Sequence, residues 1–393
     1  MSTTDVYAGT ADYMMQTYKR WPIEIVSGRG AAVTDSDGRT YIDLVAGIAV
    51  ASVGHAHPKV TEAMADQAAR LVHISNLYRT RAQLLLAERL ADLSPGMLSF
   101  FVNSGAEAIE CALKLARKWG GPDKSRVVAA AGGFHGRTFG ALAATGQPAK
   151  QTPFAPMLPG FSHVPFGDQD ALGAAMGADV AAVVLEPIQG EAGVIVPPRD
   201  YLGAARDLCD RWGALLILDE IQTGLGRTGR WFAHQHDGVI PDVMCLAKAL
   251  AAGLPMGVCL ASSEIAAAFS LGDHGTTFGG GPVQSAVALA VLDIIESEGL
   301  VERSRLAGRR AASLLQAELP AGAVVRGRGL MIGIELPQPV AREFARVALE
   351  RGVLVNDATP NVIRLTPPLV ISDDAIDAAV EVLVGVGDEI AAA

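Results

Sequence analysis

The segment LLILDEIQTGLGRTG, residues 215–229, joins an apolar run to three glycines spaced as G-x-G-x-x-G. Residues 215–218 are all apolar, which predicts a strand that is buried on both faces inside a parallel sheet. A dinucleotide-binding loop begins a helix directly after its strand, whereas here five residues separate the strand from Gly224. We therefore disfavour nicotinamide binding and turn to the polar residues at the strand end.

Apolar runs of the same kind recur along the chain and alternate with helical patterns. They predict an α/β protein with a mostly parallel sheet that is covered by helices on both faces. Ligands collect at the carboxyl ends of such strands, so the residues that follow each run are candidate site residues. The other runs are LSFFV (98–102), RVVAA (126–130), VAAVVLE (180–186), DVMCLAK (242–248) and MGVCLA (256–261), with helix candidates at 105–119, 200–212 and 283–298.

The two ends of the chain indicate a smaller second unit. Residues 24–43 alternate in polarity around Asp37-Gly38, which is a hairpin signal. The last third combines helix patterns at 303–318, 340–351 and 373–392 with strands near 330–336 and 361–366, as in an α+β lobe. We predict an N-terminal segment that contributes to the small domain, a large domain and a C-terminal small domain, at residues 1–55, 56–282 and 283–393.

Composition and charge exclude several functional classes. The formal net charge of −10 disfavours nucleic-acid binding. The longest nearly apolar run, residues 44–53, is too short to span a membrane, and the N-terminus lacks a signal pattern, so we expect a cytoplasmic protein. The four cysteines lack C-x-x-C spacing and are predicted to be reduced core residues. The His-x-His pairs at 55–57 and 234–236 lack a third ligand, so we assign no metal.

One predicted helix begins where a ligand could bind. Ser104 and Glu107 match a capping box, and small residues at Gly105 and Ala106 leave the first N–H groups of the helix open. These N–H groups and the helix dipole favour an anion such as phosphate. An ordinary capped helix without a ligand would show the same residues, so this pattern alone is weak evidence for an anion site.

Two further strand ends strengthen this interpretation. Asp219 is an acid at the edge of a buried strand, where it needs a cationic partner to stay ionised. Lys248 leaves another buried strand, and desolvation there would lower its pKa. An anion site, an acid and a lysine match the phosphate, the ring nitrogen and the aldehyde of pyridoxal 5′-phosphate. Each residue alone has an ordinary structural explanation, but the combination favours this cofactor.

The motifs of the chain resemble those of a known enzyme family. In order and spacing they are similar to the class III pyridoxal-phosphate-dependent aminotransferases, across nearly the whole chain. The resemblance implies the fold-type I architecture, with a large domain around a mostly parallel sheet, a smaller α+β domain, and a homodimer. The motifs are NSGAEA (103–108), FHGRT (134–138), EPIQGEAG (186–193), LDEIQTGLGRTG (218–229), LAKAL (246–250), GLPMG (253–257) and GTTFGG (275–280).

The resemblance also implies roles in cofactor binding. Lys248 would bind the aldehyde covalently, Asp219 would pair with the ring nitrogen, and Gln222 would reach the ring hydroxyl. Phe134 and Ile221 would cover the two ring faces. The full predicted set of cofactor contacts is Gly105, Ala106, Phe134, Asp219, Glu220, Ile221, Gln222, Lys248 and, from the partner subunit, Thr277.

Substrate choice would depend on two arginines, because guanidinium groups pair with carboxylates in two-pronged contacts. The resemblance implies that Arg137 binds the carboxylate far from the reacting carbon, and that Arg364 binds the α-carboxylate of glutamate or 2-oxoglutarate. Glu191 would neutralise Arg364 when the substrate reacts through a terminal amine, and Thr276 would contact substrate. The predicted pair of substrates is N2-acetyl-L-ornithine and 2-oxoglutarate.

Other readings of the sequence stay open. Within the same fold, the substrate could be ornithine, succinylornithine, succinyldiaminopimelate or 4-aminobutyrate, and an aminomutase or racemase would share the motifs. A nicotinamide-dependent dehydrogenase and a non-catalytic binding protein are disfavoured, the latter because Lys248, Asp219 and Arg137 are all present.

Overall fold

The computed structural model describes residues 13–392, which form three β-sheets surrounded by helices. The strands are β1 (Ile25–Arg29), β2 (Ala32–Asp35), β3 (Thr40–Asp43), β4 (Leu98–Val102), β5 (Arg126–Ala130), β6 (Phe161–Val164), β7 (Val180–Leu185), β8 (Leu215–Asp219), β9 (Val243–Leu246), β10 (Gly257–Ala261), β11 (Val324–Arg328), β12 (Met331–Glu335), β13 (Val353–Leu354), β14 (Asn356–Thr359) and β15 (Val362–Leu365).

The helices that the sequence analysis predicted lie close to their predicted positions. The prediction at 105–119, for example, corresponds to a helix at Gly105–Gly120, and 373–392 corresponds to Asp373–Ala392. The helices are α1 (Pro58–Ala68), α2 (Arg81–Leu93), α3 (Gly105–Gly120), α4 (Phe139–Ala144), α5 (Pro148–Gln151), α6 (Gln169–Ala175), α7 (Tyr201–Trp212), α8 (Ser263–Ala266), α9 (Pro282–Ser297), α10 (Leu300–Glu318), α11 (Ala341–Glu350) and α12 (Asp373–Ala392).

The largest sheet has seven strands in the order β4-β10-β9-β8-β7-β5-β6. All of them except β10 run in the same direction, so the predicted mostly parallel sheet is confirmed. Every residue of β7, β8, β9 and β10 is buried. Helix α3 covers one face through an apolar cluster that includes Ile109 and Leu113, and α7 covers the other through Leu202 and Cys209.

The neighbouring strands β8 and β9 bring two predicted site residues to one edge. Asp219, the last residue of β8, pairs with Cys245 of β9, and Lys248 follows Cys245 by three positions. Because both strands are parallel, their carboxyl ends meet at the same edge of the sheet. The sheet register therefore places the acid and the lysine side by side.

One of the two smaller sheets, β1-β2-β3-β13, joins the two ends of the chain, and the other, β11-β12-β15-β14, lies wholly in the C-terminal third. The predicted hairpin is confirmed: β2 and β3 are antiparallel, and the Gly38 N–H donates to the Asp35 carbonyl in the turn between them. β3 also pairs in parallel with β13, so the N-terminal segment meets the C-terminal third. A single apolar cluster includes residues from Leu44 to Val386. The predicted domain boundaries at residues 55 and 282 stay predictions.

The three glycines of the opening segment form turns that pack against the C-terminal third. The next regular structure is a short 3₁₀ turn at Ala233–His236, so no helix begins directly after the glycines. Between the glycines lies Arg227, which is buried and donates to the carbonyls of Leu330 and Pro367 and to the Ser52 hydroxyl. The glycine loop is therefore a docking element between parts of the fold.

Within residues 13–392, no helix combines the length and the apolarity that crossing a bilayer requires. The first 12 residues of the N-terminal stretch that we used to predict the cellular location lie outside the described residues. All four cysteines are buried and unpaired, as predicted.

Candidate active site

A cavity of about 430 Å³ opens at the carboxyl ends of β4, β8 and β9. Its size is in the range of small-molecule and cofactor sites. The structure brings together in its lining most of the residues that the sequence singled out: Gly105, Ala106, Phe134, Arg137, Glu191, Asp219, Ile221, Gln222 and Lys248.

Lys248 has an unusual backbone and an altered acidity. It begins a 3₁₀ turn after β9, and its backbone φ angle is +28°, a value that residues other than glycine rarely adopt. Burial, followed by the charge of Arg364, lowers the pKa of its amine to about 8, although Glu191 and Asp219 oppose this effect. The lowering has the predicted direction, and with a pKa of about 8 roughly 10% of the amine is neutral at pH 7.

Asp219 is held by a buried histidine. The Asp219 Oδ2 atom lies 2.8 Å from His135 Nδ1, and Oδ1 accepts the Ile221 N–H at 3.1 Å. Burial lowers the pKa of His135, but the hydrogen bond and charge of Asp219, together with Glu186, outweigh it and raise the pKa overall. His135 is therefore the hydrogen-bonding partner of Asp219 within the chain.

Glu186 is a second buried acid of the cavity lining. Its carboxylate accepts the N–H groups of Phe134 at 2.9 Å and Gly190 at 3.0 Å, and so connects two loops of the site. Burial raises its pKa to about 7, against the opposing charge of His135. Both Glu186 and His135 escaped the sequence analysis, although Glu186 follows a buried strand and both lie in quoted motifs.

Ser104 caps helix α3 as predicted, but the Glu107 carboxylate bonds to Asn103 and not to the N–H of Ser104, so the predicted capping box is only half formed. The Ser104 hydroxyl accepts the Glu107 N–H, and the Glu107 carboxylate accepts the Asn103 N–H. The first N–H groups of a helix have no acceptor inside the helix, so those of Gly105 and Ala106 are open to an anion. A side chain at position 105 would lie 2.8 Å from the Ile221 side chain, so only glycine leaves this approach clear without displacing Ile221.

Arg364 lies beside the cavity and is 1% exposed. Its guanidinium donates to Glu191 at 2.7 Å, to Asn356 at 2.7 Å and to Gln222 at 3.3 Å. Burial raises the pKa of Glu191, but Arg364 and then Lys248 outweigh burial and lower it. Among the described residues the Arg364 Nε atom has no partner, so this charge keeps one unused donor.

Four predicted residues lie outside the cavity lining: Glu220, Thr276, Thr277 and Arg364. Glu220 alternates to the opposite side from Asp219, as neighbours on a strand do. Its carboxylate accepts the N–H groups of Ala233 and His234, and the cofactor contact of Glu220 stays a prediction. Thr276 bonds to the Asn103 amide, and Thr277 is exposed at the surface.

Comparisons with known proteins agree with this geometry. The family model "Aminotransferase class-III" matches residues 13–386. An acetylornithine aminotransferase of Mycobacterium tuberculosis is 53% identical over 379 residues, covering 95% of this chain and 94% of the relative. One from Methanopyrus kandleri is 49% identical over 370 residues, covering 93% and 95%.

Solved structures show the same likeness. The ornithine aminotransferase of Toxoplasma gondii has a TM-score of 0.96 at 34% identity and covers 100% of this chain and 96% of its own. The acetylornithine aminotransferase of Elizabethkingia anophelis has a TM-score of 0.88 at 31% identity and covers 99% and 100%.

Proposed function

Because the chain belongs to the class III aminotransferases, we propose that it moves the terminal amino group of N2-acetyl-L-ornithine to 2-oxoglutarate. The products are N-acetylglutamate 5-semialdehyde and glutamate, and the reaction is a step of arginine biosynthesis. The observation that carries the reaction type is the cavity that Lys248 and Asp219 line together. The choice of substrate is supported by the full-length relatives that are about half identical to this chain.

Class III aminotransferases depend on pyridoxal 5′-phosphate. This cofactor supplies an aldehyde that bonds to amines and an aromatic ring that accepts electrons. The residues of the cavity fit it: open N–H groups at Gly105 and Ala106 suit the phosphate, and Asp219 suits a protonated ring nitrogen. Phe134 and Ile221 offer apolar surfaces for the two ring faces.

The reaction requires a base and a fixed charge, and the chain supplies both. The Lys248 amine, with a pKa of about 8, removes a proton from the carbon that bears the transferred amine and returns it later. Asp219 is held in place by its hydrogen bond with His135 and stabilises positive charge across the cavity. Gln222 is oriented by its contact with Arg364 and provides a polar group beside Lys248.

The two arginines divide the recognition of substrates. Arg137 is an exposed cation in the cavity lining, where it binds the carboxylate farthest from the reacting carbon. Glu191 neutralises Arg364 while a terminal amine reacts. When glutamate or 2-oxoglutarate binds, its α-carboxylate replaces Glu191 on Arg364. One cavity thereby accepts two substrate shapes.

We also propose that the protein is a homodimer in which Thr277 reaches the phosphate of the partner's cofactor. Leu77 is 87% exposed and Phe278 is 61% exposed, and Tyr78 beside them is also exposed. Such an exposed apolar patch is typical of an interface. Light scattering should give twice the mass of one chain. A monomer with full activity would contradict the proposal, as would an unchanged cofactor affinity in Thr277→Ala.

A substrate panel tests the proposed function. With 2-oxoglutarate as acceptor, kcat/KM for N2-acetylornithine should exceed that for ornithine, succinylornithine and 4-aminobutyrate by about tenfold, or about 1.4 kcal/mol. Lys248→Ala is the matched control and should lose both turnover and covalent attachment of the cofactor. A tenfold preference for another amine would refute the choice of substrate. The cytoplasmic location stays a prediction.

A further inference from the structure

A second cation stands beside Arg137 at the entrance of the cavity. Lys150 belongs to the short helix α5, and its Nζ lies 5.8 Å from the centre of the Phe134 ring. The Arg137 guanidinium lies 5.6 Å from the centre of the same ring. Phe134 and Arg137 line the cavity, whereas Lys150 lies next to the lining.

Lys150 is hydrogen-bonded to a side chain that is itself anchored to the backbone. Its ammonium donates to the side-chain carbonyl of Gln147, and the Gln147 amide donates to the Gly132 carbonyl at 3.0 Å. Lys150 is thereby held against the loop that carries Phe134. A lysine ammonium has three donors, and Gln147 takes one of them.

Neither cation has an ion-pair partner within residues 13–392. Two like charges beside one ring repel each other, and half-burial of Lys150 adds a desolvation cost. Burial first, and Arg137 second, lower the pKa of Lys150. An anion between the two cations would relieve the repulsion, and Glu191 is already occupied by Arg364.

Resting on the proposed function, we propose that Lys150 binds the distal carboxylate of both substrates together with Arg137. The flexible stem of Lys150 lets its ammonium swing from Gln147 towards that carboxylate. The substrates would be ω-amino acids, whose single carboxylate lies far from the reacting amine, and 2-oxo dicarboxylic acids, whose second carboxylate lies far from the reacting carbonyl. Lys150 is then a specificity-determining residue.

The test compares two donors that differ in one group. N-acetylputrescine is N2-acetylornithine without its carboxylate, so it cannot use a distal anion site. In Lys150→Met, KM for N2-acetylornithine and 2-oxoglutarate should rise about five- to twentyfold, between the effects of exposed and buried charge pairs. The kcat should stay within about twofold, and kcat/KM for N-acetylputrescine should not change. Lys150→Arg should restore most of the loss.

Two further measurements separate the possible results. Calorimetric titration of the holoenzyme with glutarate, a dicarboxylate that does not react, should show weaker binding in Lys150→Met and unchanged binding in the control Lys59→Met. Equal losses for both donors would show that Lys150 merely supports Phe134, and would overturn the proposal. If the wild type prefers another amine, the proposed function fails, while glutarate binding still decides the role of Lys150.

Discussion

The acidity of Lys248 gives a quantitative prediction. An amine with a pKa of about 8 is roughly 10% neutral at pH 7, whereas one at the ordinary 10.5 is roughly 0.03% neutral. Since only the neutral amine attacks an aldehyde, Lys248 should react with the cofactor about 300 times faster at pH 7 than an ordinary lysine with the same access.

The assay follows attachment of pyridoxal 5′-phosphate to the apoenzyme between pH 5.5 and 10. The initial rate should rise about tenfold per pH unit up to about pH 8 and then level off. Borohydride reduction and peptide mass analysis locate the attachment, and Lys248→Ala is the control that should show none.

Two substitutions should shift the bend of this profile, which is the pH at which the attachment rate levels off, in opposite directions. Arg364→Met removes a cation that lowers the pKa of Lys248, so the bend should shift to higher pH. Glu191→Gln removes an anion that raises the pKa, so the bend should shift to lower pH. A rate that keeps rising through pH 10 in the wild type, or bends that do not move in the variants, would refute the electrostatic argument.

Two other predictions concern buried groups of the site. The pKa of Glu186 is raised to about 7, so the stability it contributes is present at low pH and is lost as the pH rises through 7. Glu186→Gln should therefore gain Tm relative to wild type between pH 5 and pH 8, and a constant difference in Tm would contradict this. A Cβ at Gly190 would lie 2.2 Å from the Gln222 side chain, so Gly190→Ala should reduce kcat/KM at least about tenfold. Gly203→Ala, in a helix with open space around it, is the control and should keep full activity.

The sequence predicted most of the elements because their patterns are local. Helices such as Gly105–Gly120 and Asp373–Ala392 follow from apolar spacing and capping, and the buried strands follow from uninterrupted apolar runs. The rule that ligands collect at strand ends then pointed to Asp219 and Lys248.

The parts that escaped prediction depend on contacts between distant positions. His135 meets Asp219 across 84 positions of the chain, and no periodicity encodes such a pair. Residues 46–49 adopt positive φ angles in a left-handed turn that nothing in the sequence AGIA announced. The carboxylate of Glu220 accepts the N–H groups of Ala233 and His234, 13 and 14 positions further along the chain, and no local pattern encodes these contacts.

Arg227 connects the glycine loop to the N-terminal segment and to the C-terminal third of the chain. Its buried guanidinium donates to Ser52, Leu330 and Pro367. A hinge motion between these segments would separate the guanidinium from its acceptors and leave a buried charge without partners. Motion between these segments would therefore break three buried hydrogen bonds together.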